Sequence, residues 1–409
     1  MKATLIGKTL RHSFSAEIHR ALGTDYDLTE LTETELDTFM KDPPVDCFNV
    51  TIPYKEAVMP YLDELDESAK YVGCVNTVKR AGDKLIGYNT DIDGMAYLFS
   101  RAGVSLTDKT VVVLGSGGTS KTARALAKRE GAKKVYLVSR TGEYNYENIG
   151  RLTDAEILIN TTPVGMFPRD GVSAVNPAIF PNLIFVADPV YNPLRTYITE
   201  QAREIGVKAS CGLSMLVYQA IKAEEIWTGK KISDDVTEKI VSALAAQKDN
   251  IVLVGMPSCG KTTVGRLVAE KTGKTFVDLD EEIVKREGRT IPDIFTEAGE
   301  EYFRKVESEV AREVLSGGGQ VVSTGGGTPV AEKNRYEIRK NGFVVYLTRP
   351  LDRLVADGRP VSKNEGVERI FAERDGIYRD VADAIIANDK AADETASEVV
   401  KTYEKNSRY

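Results

Sequence analysis

The sequence predicts an α/β protein built from three consecutive units. Two glycine-rich segments, residues 111–131 and 251–271, each follow a short apolar run and precede a helical pattern, an arrangement typical of phosphate-binding loops. Strand-like runs also alternate with helical stretches over residues 2–94. Because alternating strands and helices favour parallel sheets covered by helices, we expect a small α/β unit followed by two phosphate-binding units.

Length and composition exclude several classes of protein. The 409 residues are enough for two or three domains, and 42% hydrophobic with 28% charged residues is ordinary globular composition rather than disorder. The net charge of −7 is not concentrated in one block and gives no indication of a nucleic-acid partner. The four cysteines are far apart and accompanied by two histidines, so we expect a reducing cytoplasm and no structural metal.

The sequence also gives no indication of membrane attachment. Its start, MKATLIGKTLRH, lacks the apolar core of a signal peptide, and no apolar run reaches the roughly 18 residues of a membrane span. We therefore expect a cytoplasmic protein with small-molecule partners and neither membrane nor nucleic acid among them. The sequence leaves the oligomeric state open.

The first unit, residues 1–94, is expected to contain short strands and helices. The predicted strands are Ala3–Ile6, Cys47–Ile52, Thr77–Lys79 and Leu85–Tyr88. The predicted helices include Ala16–Leu22 and Lys55–Tyr61. Apolar residues at helix spacing between Ser214 and Gln247 predict closing helices, and we assign about 212–246 to this first unit as well.

The second unit, residues 95–211, has the pattern of a dinucleotide-binding fold. The strand candidates are VVVLG, KVYLVSR, AEILINTTP and LIFVADPVY, which predict a parallel, doubly wound (Rossmann) sheet. In GSGGTS, Gly115 allows a tight turn, Gly117 and Gly118 allow close approach of a pyrophosphate, and Ser120 replaces the third glycine of the fingerprint.

The residues after the next strand predict the choice of dinucleotide. Ser139, Arg140 and Thr141 stand where an NAD enzyme would carry an acidic residue for the free ribose hydroxyl. A cation flanked by hydroxyls suits a 2′-phosphate instead. We therefore expect NADP(H) rather than NAD(H).

The third unit, residues 250–409, begins with a complete nucleotide-binding motif. Ala246–Asp249 is the expected linker, about 14 Å when extended, before the strand that starts at Ile251. GMPSCGKT then matches G-x-x-x-x-G-K-[ST] between a strand and a helix, so ATP is the expected ligand. The residues expected to bind its phosphates are Gly255, Ser258, Cys259, Gly260, Lys261, Thr262 and Thr263.

Two acidic residues follow on the next predicted strand. In FVDLDEEI, Asp278 and Asp280 are two apart at a strand end, so both carboxylates can point to the same side. The Thr262 hydroxyl and Asp278 are the expected ligands of Mg²⁺, directly or through water. Asp280 is expected near the substrate hydroxyl group that receives the phosphoryl group from ATP.

Further motifs make the third unit resemble shikimate kinase over about residues 250–405. They are GEEYFRKVE, VVSTGGGTP, DGRP and ERDGIYRDVAD, in the order of that family. The resemblance implies that shikimate is held by Asp280, Arg304, Gly326, Gly327 and Arg374, with the two arginines on its carboxylate. It further implies that Asp280 is the base, that Arg359 belongs to a lid that is short for the family, and that Arg353 flanks the adenine.

The front of the chain, about residues 3–245, resembles shikimate dehydrogenase. The motifs are RHSFSAEIH, FNVTIPYKE, VGCVNTV and LIGYNTDIDG, followed by NTTPVGM, DPVYNP and GLSMLVYQA. The resemblance implies that Lys55 and Asp91 form the catalytic pair and that Ser13 and Ser15 bind the substrate carboxylate. The remaining implied substrate residues are Thr51, Asn76 and Gln219 at the ring hydroxyls, with Tyr191 nearby.

The chemistry of ketone reduction favours Lys55 independently of this resemblance. Such a reaction needs a proton donor for the oxygen, and the chain's two histidines, His12 and His19, both lie near its start. A lysine held charged by Asp91 is the better candidate. For Ser15, capping of the helix expected from Ala16 is an alternative role that is compatible with substrate binding.

Together these patterns predict a bifunctional enzyme that reduces 3-dehydroshikimate with NADPH and then phosphorylates shikimate with ATP. A quinate-preferring dehydrogenase remains an alternative for the front half. A regulator that binds shikimate and nucleotide without turnover is another, although the presence of Lys55, Asp91, Lys261 and Asp280 together argues against it.

Overall fold

The computed structural model describes residues 1–10, 13–354 and 366–406. The chain separates into two compact units, one formed by Met1–Asn192 and Thr196–Val241 and the other by Pro193–Arg195 and Ser242–Tyr409. The strands form three sheets, two in the first unit and one in the second. The predicted α/β class is confirmed. Within the described part of the chain, no helix has both the length and the apolar character needed to cross a membrane.

The first sheet is mixed and has the strand order β2-β1-β3-β5-β6-β4. Its strands are β1 (Lys2–Gly7), β2 (Asp25–Glu30), β3 (Cys47–Val50), β4 (Glu64–Leu65), β5 (Thr77–Ala81) and β6 (Lys84–Tyr88). β1 pairs in parallel with β2 and β3, whereas β5 is antiparallel to β3 and β6. The accompanying helices are α1 (Ser15–Ala21), α2 (Glu33–Lys41) and α3 (Glu67–Val72).

Two predicted elements of this unit are wrong. The segment predicted as the helix Lys55–Tyr61 consists of turns followed by a short 3₁₀ helix at Met59–Tyr61. Pro60 accounts for this, because proline has no backbone N–H and its ring collides with the preceding helical turn. The strand predicted to reach Ile52 ends at Val50, just before the turns begin.

The second sheet is entirely parallel, with the order β11-β10-β9-β7-β8. Its strands are β7 (Thr110–Leu114), β8 (Lys134–Val138), β9 (Ile157–Asn160), β10 (Phe185–Asp188) and β11 (Lys208–Cys211), the last of which was not among the predicted strands. Val111 and Val113 join one apolar cluster, while Val112 and Leu114 join another. β7 therefore reads as a continuous apolar run because both of its faces are buried.

The helices of this region are α4 (Asp91–Ala102), α5 (Gly118–Arg129), α6 (Tyr197–Glu204), α7 (Leu213–Thr228) and α8 (Asp234–Lys248), with 3₁₀ turns at Ile149–Arg151 and Pro177–Ile179. α4 packs closely on α7. A Cβ at Gly94 would lie 2.5 Å from the Met215 carbonyl oxygen, so this contact requires glycine. The close packing brings the start of α4 beside α7, which carries one of the predicted substrate residues, Gln219.

The third sheet is also parallel, with the order β13-β14-β12-β15-β16. Its strands are β12 (Asn250–Val254), β13 (Thr275–Asp278), β14 (Gln320–Ser323), β15 (Gly342–Thr348) and β16 (Ala384–Ala387). The helices are α9 (Lys261–Thr272), α10 (Leu279–Glu287), α11 (Ile291–Ser316, interrupted at Gly299), α12 (Glu332–Lys340), α13 (Val367–Val381) and α14 (Ala392–Asn406), with 3₁₀ turns at Thr328–Val330 and Leu351–Arg353. The central strand β12 leads directly into the nucleotide-binding motif.

The linker predicted at Ala246–Asp249 is mostly helical. α8 continues to Lys248, and the Asp249 N–H still donates to the Ala245 carbonyl at 2.7 Å. Residues 244–248, LAAQK, are strong helix formers, which explains why the helix persists almost up to the next strand.

Candidate active sites

Lys55 and Asp91 form a buried ion pair in the first unit. The Lys55 Nζ lies 2.6 Å from Asp91 Oδ2, and the two side chains are 14% and 9% exposed. Lys55 lies in the turns after β3, whereas Asp91 begins α4. Burial by itself lowers the pKa of Lys55, but the Asp91 carboxylate outweighs this and raises the pKa above its ordinary value. The ammonium group is therefore held protonated at neutral pH.

Asn76 connects the ion pair to a further predicted substrate residue. Its amide nitrogen is 2.9 Å from Asp91 Oδ1, 3.0 Å from Thr90 Oγ1 and 3.3 Å from Gln219 Oε1. All of these side chains are buried. The first sheet, α4 and α7 thus bring Lys55, Asp91, Asn76 and Gln219 together from distant parts of the sequence.

The two predicted carboxylate-binding serines are adjacent. Ser13 Oγ lies 3.0 Å from Ser15 Oγ and accepts the Ser15 N–H at 3.2 Å. The helix begins at Ser15 with Phe14 as its N-cap and without a side-chain cap, so the alternative capping role of Ser15 is wrong. Tyr191 forms a hydrogen bond with Ser13. This bond lowers the pKa of the Tyr191 hydroxyl, but burial has the larger effect and raises it. Thr51 is half-buried in the loop after β3.

His19 does not compete with Lys55 as a proton donor. His19 is fully buried, and its Nδ1 lies 2.7 Å from Glu224 Oε1. Burial lowers the pKa of His19 despite this carboxylate. His12 lies outside the described residues.

The first phosphate loop has the geometry of a strand-to-helix turn. Gly115 has a φ of +101°, and Gly117 is the extended residue before α5. A Cβ at Gly117 would meet no atom within 4 Å, so the surface there is open to a ligand. A Cβ at Gly118 would lie 3.5 Å from Lys55 Cδ, which places the helix N-terminus beside the catalytic candidate. Ser120 is buried, and its hydroxyl has no hydrogen-bond partner among the residues described.

The three predicted 2′-phosphate residues follow β8 directly. Arg140 and Thr141 are exposed and Ser139 is half-buried. Burial raises the pKa of Tyr146, and the positive charge of Arg140 opposes this shift. An exposed guanidinium between two residues with hydroxyl groups is a suitable setting for a phosphate group.

The second phosphate loop combines left-handed backbone with a buried lysine. The φ angles are +145° at Gly255, +64° at Ser258 and +97° at Gly260. Lys261 Nζ donates to the carbonyls of Gly255 and Met256, both at 3.0 Å. Two further residues predicted to bind the ATP phosphates differ in exposure: Cys259 is fully buried, whereas Thr263 is exposed on α9.

Thr262 and Asp278 supply adjacent oxygen atoms suited to Mg²⁺. The Thr262 hydroxyl donates to Asp278 Oδ2 at 2.7 Å. The prediction that Asp280 shares the strand end is wrong: β13 stops at Asp278, which caps α10, and Asp280 lies in the first turn of that helix. Among the residues described, no group of three or more His, Cys, Asp or Glu could hold a metal. A site with few protein ligands fits Mg²⁺, which usually keeps waters and binds substrate phosphates.

The other residues predicted to bind shikimate, the phosphoryl acceptor, surround the triple-glycine loop. Arg374 Nη1 donates to the Gly326 carbonyl at 3.2 Å, and a Cβ at Gly325 would lie 3.0 Å from Asp280 Oδ1. A Cβ at Gly326 would lie 2.8 Å from Pro257, so the loop packs directly on the phosphate-binding motif. A Cβ at Gly327 would overlap the Arg304 guanidinium.

Two residues of this site received no role from the sequence. Glu307 is buried, accepting from Arg304 Nη1 at 2.8 Å and from Thr328 Oγ1 at 2.9 Å. Tyr378 is fully buried and donates to the Gly326 carbonyl. The three-residue spacing of Arg304 and Glu307 on a helix could have indicated the first contact. No local signal indicates the second.

Of the two arginines predicted at the nucleotide end, the structure describes only Arg353. Arg353 is exposed in the 3₁₀ turn after β15. Arg359, predicted in the lid, lies outside the described residues.

Comparison with known proteins assigns both units. The model of the shikimate dehydrogenase substrate binding domain matches residues 5–78, that of the shikimate 5′-dehydrogenase C-terminal domain matches 212–241, and that of shikimate kinase matches 257–404. The NADP⁺-dependent shikimate dehydrogenase of Caldicellulosiruptor bescii is 39% identical over 258 residues, which cover 55% of this chain and 88% of that protein.

Solved structures give the same result for the first unit. Shikimate dehydrogenase 1 of Peptoclostridium difficile is 34% identical with a TM-score of 0.56, covering 60% of this chain and 98% of its own. The Thermus thermophilus enzyme, solved with NADP(H) and shikimate, is 26% identical with a TM-score of 0.54, covering 59% and 99%. This chain therefore belongs to the shikimate dehydrogenase family, to which a shikimate kinase domain is fused at the C-terminal side.

Proposed function

We propose that the chain reduces 3-dehydroshikimate to shikimate with NADPH and phosphorylates shikimate to shikimate 3-phosphate with ATP. The reduction is supported chiefly by the buried Lys55–Asp91 pair beside the first phosphate loop. We assign substrate binding to residues 1–94 with about 212–246, NADP binding to 95–211 and the kinase to 250–409. The shikimate complex of the Thermus thermophilus relative and the kinase family match favour these substrates.

In the reduction, Lys55 donates a proton to the ketone oxygen while Asp91 holds it charged and in place. The Asn76 amide restrains Asp91, which keeps the donor fixed. Ser13 and Ser15 offer hydroxyls for the substrate carboxylate, and Tyr191 adjoins them. Thr51, Asn76 and Gln219 serve the ring hydroxyls.

NADPH supplies the hydride when it is bound. Gly115, Gly117 and Gly118 leave backbone N–H groups and the N-terminus of α5 for its pyrophosphate. Arg140 binds the 2′-phosphate, assisted by the hydroxyls of Ser139 and Thr141. The NADP⁺ dependence of the relatives supports this choice.

In the phosphorylation, the loop from Gly255 to Thr263 binds the phosphates of ATP, and Lys261 leaves its carbonyl partners for them. Thr262 and Asp278 would hold Mg²⁺, which offsets phosphate charge when it is bound. Asp280 accepts the proton of the attacking hydroxyl. The guanidinium groups of Arg304 and Arg374 bind the shikimate carboxylate. Gly326 and Gly327, whose lack of side chains lets their loop pack on Pro257 and Arg304, bind the substrate through the loop backbone.

The test is to assay the full chain for both reactions. NADPH oxidation is followed with 3-dehydroshikimate and ADP release with shikimate, with quinate supplied as an alternative substrate. Lys55→Met should abolish only the first activity and Lys261→Met only the second. Loss of both activities in either folded variant would contradict two independent sites.

A further inference from the structure

Two side chains from outside the nucleotide-binding motif hold the backbone of the second phosphate loop. Asn388, which follows β16, donates its amide nitrogen to the Cys259 carbonyl at 2.7 Å. Arg349, which follows β15, donates Nη1 to the Ser258 carbonyl at 3.3 Å. Two consecutive loop carbonyls are therefore bound from the carboxyl edge of the sheet.

The Asn388 side chain is itself fixed in orientation. Its Oδ1 accepts the Thr395 hydroxyl at 3.0 Å, and its backbone N–H donates to the Thr348 carbonyl at 2.8 Å. Thr395 is fully buried in α14. Because the Cys259 carbonyl can only accept a hydrogen bond, the amide nitrogen must face the loop, and the amide oxygen is left to accept from the Thr395 hydroxyl.

The geometry of the peptide bond gives this contact a consequence for phosphate binding. In a trans peptide, the Cys259 carbonyl and the Gly260 N–H point to opposite sides. A carbonyl fixed on Asn388 therefore directs the Gly260 N–H away from Asn388. Gly260 has a φ of +97°, and a Cβ there would overlap the Asn388 amide, so the glycine also permits the contact.

We propose that Asn388, assisted by Arg349, is a positioning residue that holds the phosphate loop in the shape that binds ATP. The proposal rests on the kinase function proposed above. Neither residue belongs to the nucleotide-binding motif or to the residues assigned to shikimate binding. Their effect is on the direction of the loop amides and therefore on the affinity for phosphate.

Asn388→Ala in the full chain should raise the KM for ATP about 3- to 10-fold, the factor expected for one lost hydrogen bond. The kcat of the kinase, the KM for shikimate and the dehydrogenase activity should each change less than about twofold. Thr395→Val keeps the Asn388 amide but frees its orientation, so a smaller rise is expected. The matched control is Asn406→Ala, which removes an amide bonded to the Thr402 carbonyl at 2.8 Å in the same helix.

Binding measurements separate loop positioning from direct contact with the nucleotide base. Calorimetry on Asn388→Ala should show the same fold-loss for ADP and for inorganic tripolyphosphate, since both use the loop. A loss for ADP alone, or unchanged affinity for both, would overturn the proposal. If the wild-type chain binds ADP but does not phosphorylate shikimate, the proposed kinase function fails, and the two binding measurements still decide the role of Asn388.

Discussion

Replacement of Asp91 by Asn tests whether this carboxylate controls the proposed proton donor, Lys55. The substitution preserves the size of the side chain but removes the charge 2.6 Å from Lys55. The Asn76 amide would then face a neutral amide instead of the Asp91 carboxylate. We expect a folded protein whose lysine is buried without a counter-charge.

The size of the effect follows from the geometry. Two unit charges at 2.6 Å attract by about 6 kcal/mol at an effective dielectric constant of about 20, before desolvation is subtracted. Removing one partner of such a pair typically costs about 3–5 kcal/mol. A similar increase in activation free energy corresponds to a fall in turnover of about 10²- to 10⁴-fold, the usual contribution of general acid catalysis.

The pH profile provides a second and more specific measurement. Asp91 raises the pKa of Lys55 against the lowering effect of burial. In Asp91→Asn the raising effect of the carboxylate is lost while burial remains, so the ammonium loses its proton at a lower pH than in the wild type. The alkaline fall of the kcat for 3-dehydroshikimate reduction should therefore move to lower pH.

The assay follows NADPH oxidation at saturating substrates. Thermal unfolding checks that the variant is folded, and ADP release from shikimate and ATP checks that the kinase site is unaffected. Asp93→Asn is the matched control, since Asp93 lies two residues further along α4 and faces Arg129 at 4.0 Å instead of Lys55. It should leave turnover and pH profile within about twofold of the wild type. A folded Asp91→Asn variant with the wild-type pH profile would refute the assigned role of the pair.

Three further substitutions address other parts of the molecule. Arg140→Asp should reduce the preference for NADPH over NADH about 10- to 150-fold, because that factor corresponds to the loss of one charged hydrogen bond. The preference is measured as kcat/KM with NADPH divided by kcat/KM with NADH, and an unchanged ratio would contradict the 2′-phosphate role. Burial raises the pKa of Asp188 to about 6, so its stabilising contribution is greatest when protonated and falls as pH rises from about 4 to 6. Relative to the wild type, Asp188→Asn should gain up to about 3 kcal/mol in unfolding free energy over that interval by urea denaturation, and a pH-independent difference would argue against it. Gly326→Ala places a Cβ 2.8 Å from Pro257 and should raise the KM for shikimate and for ATP at least about tenfold in the kinase assay, whereas unchanged values would show that the loop can shift.

The sequence predicted the parallel sheets because their strands are short apolar runs buried on both faces, as Val111–Leu114 shows. It failed at Lys55–Tyr61, where apolar spacing suggested a helix but Pro60 prevents one. It also placed Asp280 on a strand, because a period of two and the first turn of a helix cannot be distinguished over three residues. Both errors are local: the first is a helix that does not form, and the second is the boundary between a strand and a helix.

The contacts that the sequence could not indicate are of a different kind. Tyr378 reaches the Gly326 carbonyl across 52 residues, and Asn388 reaches the Cys259 carbonyl across 129. In both cases the acceptor is a backbone carbonyl, which every residue possesses and which leaves no mark in the sequence. Side chains that bind substrate belong to recognisable motifs, whereas side chains that orient a loop backbone become apparent only in the folded chain.

This difference predicts how the two sites respond to pH. In the dehydrogenase site, the proposed proton donor Lys55 belongs to a buried charge pair, so variants of the pair should alter both rate and pH profile. In the kinase site, the contact proposed to position the loop comes from the uncharged Asn388 amide, which the uncharged Thr395 hydroxyl holds in turn. The ATP affinity lost in Asn388→Ala should therefore be the same at pH 6.5 and pH 8.5, because no proton is taken up or released at that contact. A loss that varied with pH would mean that Asn388 acts by shifting a titrating group, and positioning of the loop backbone would then be the wrong explanation.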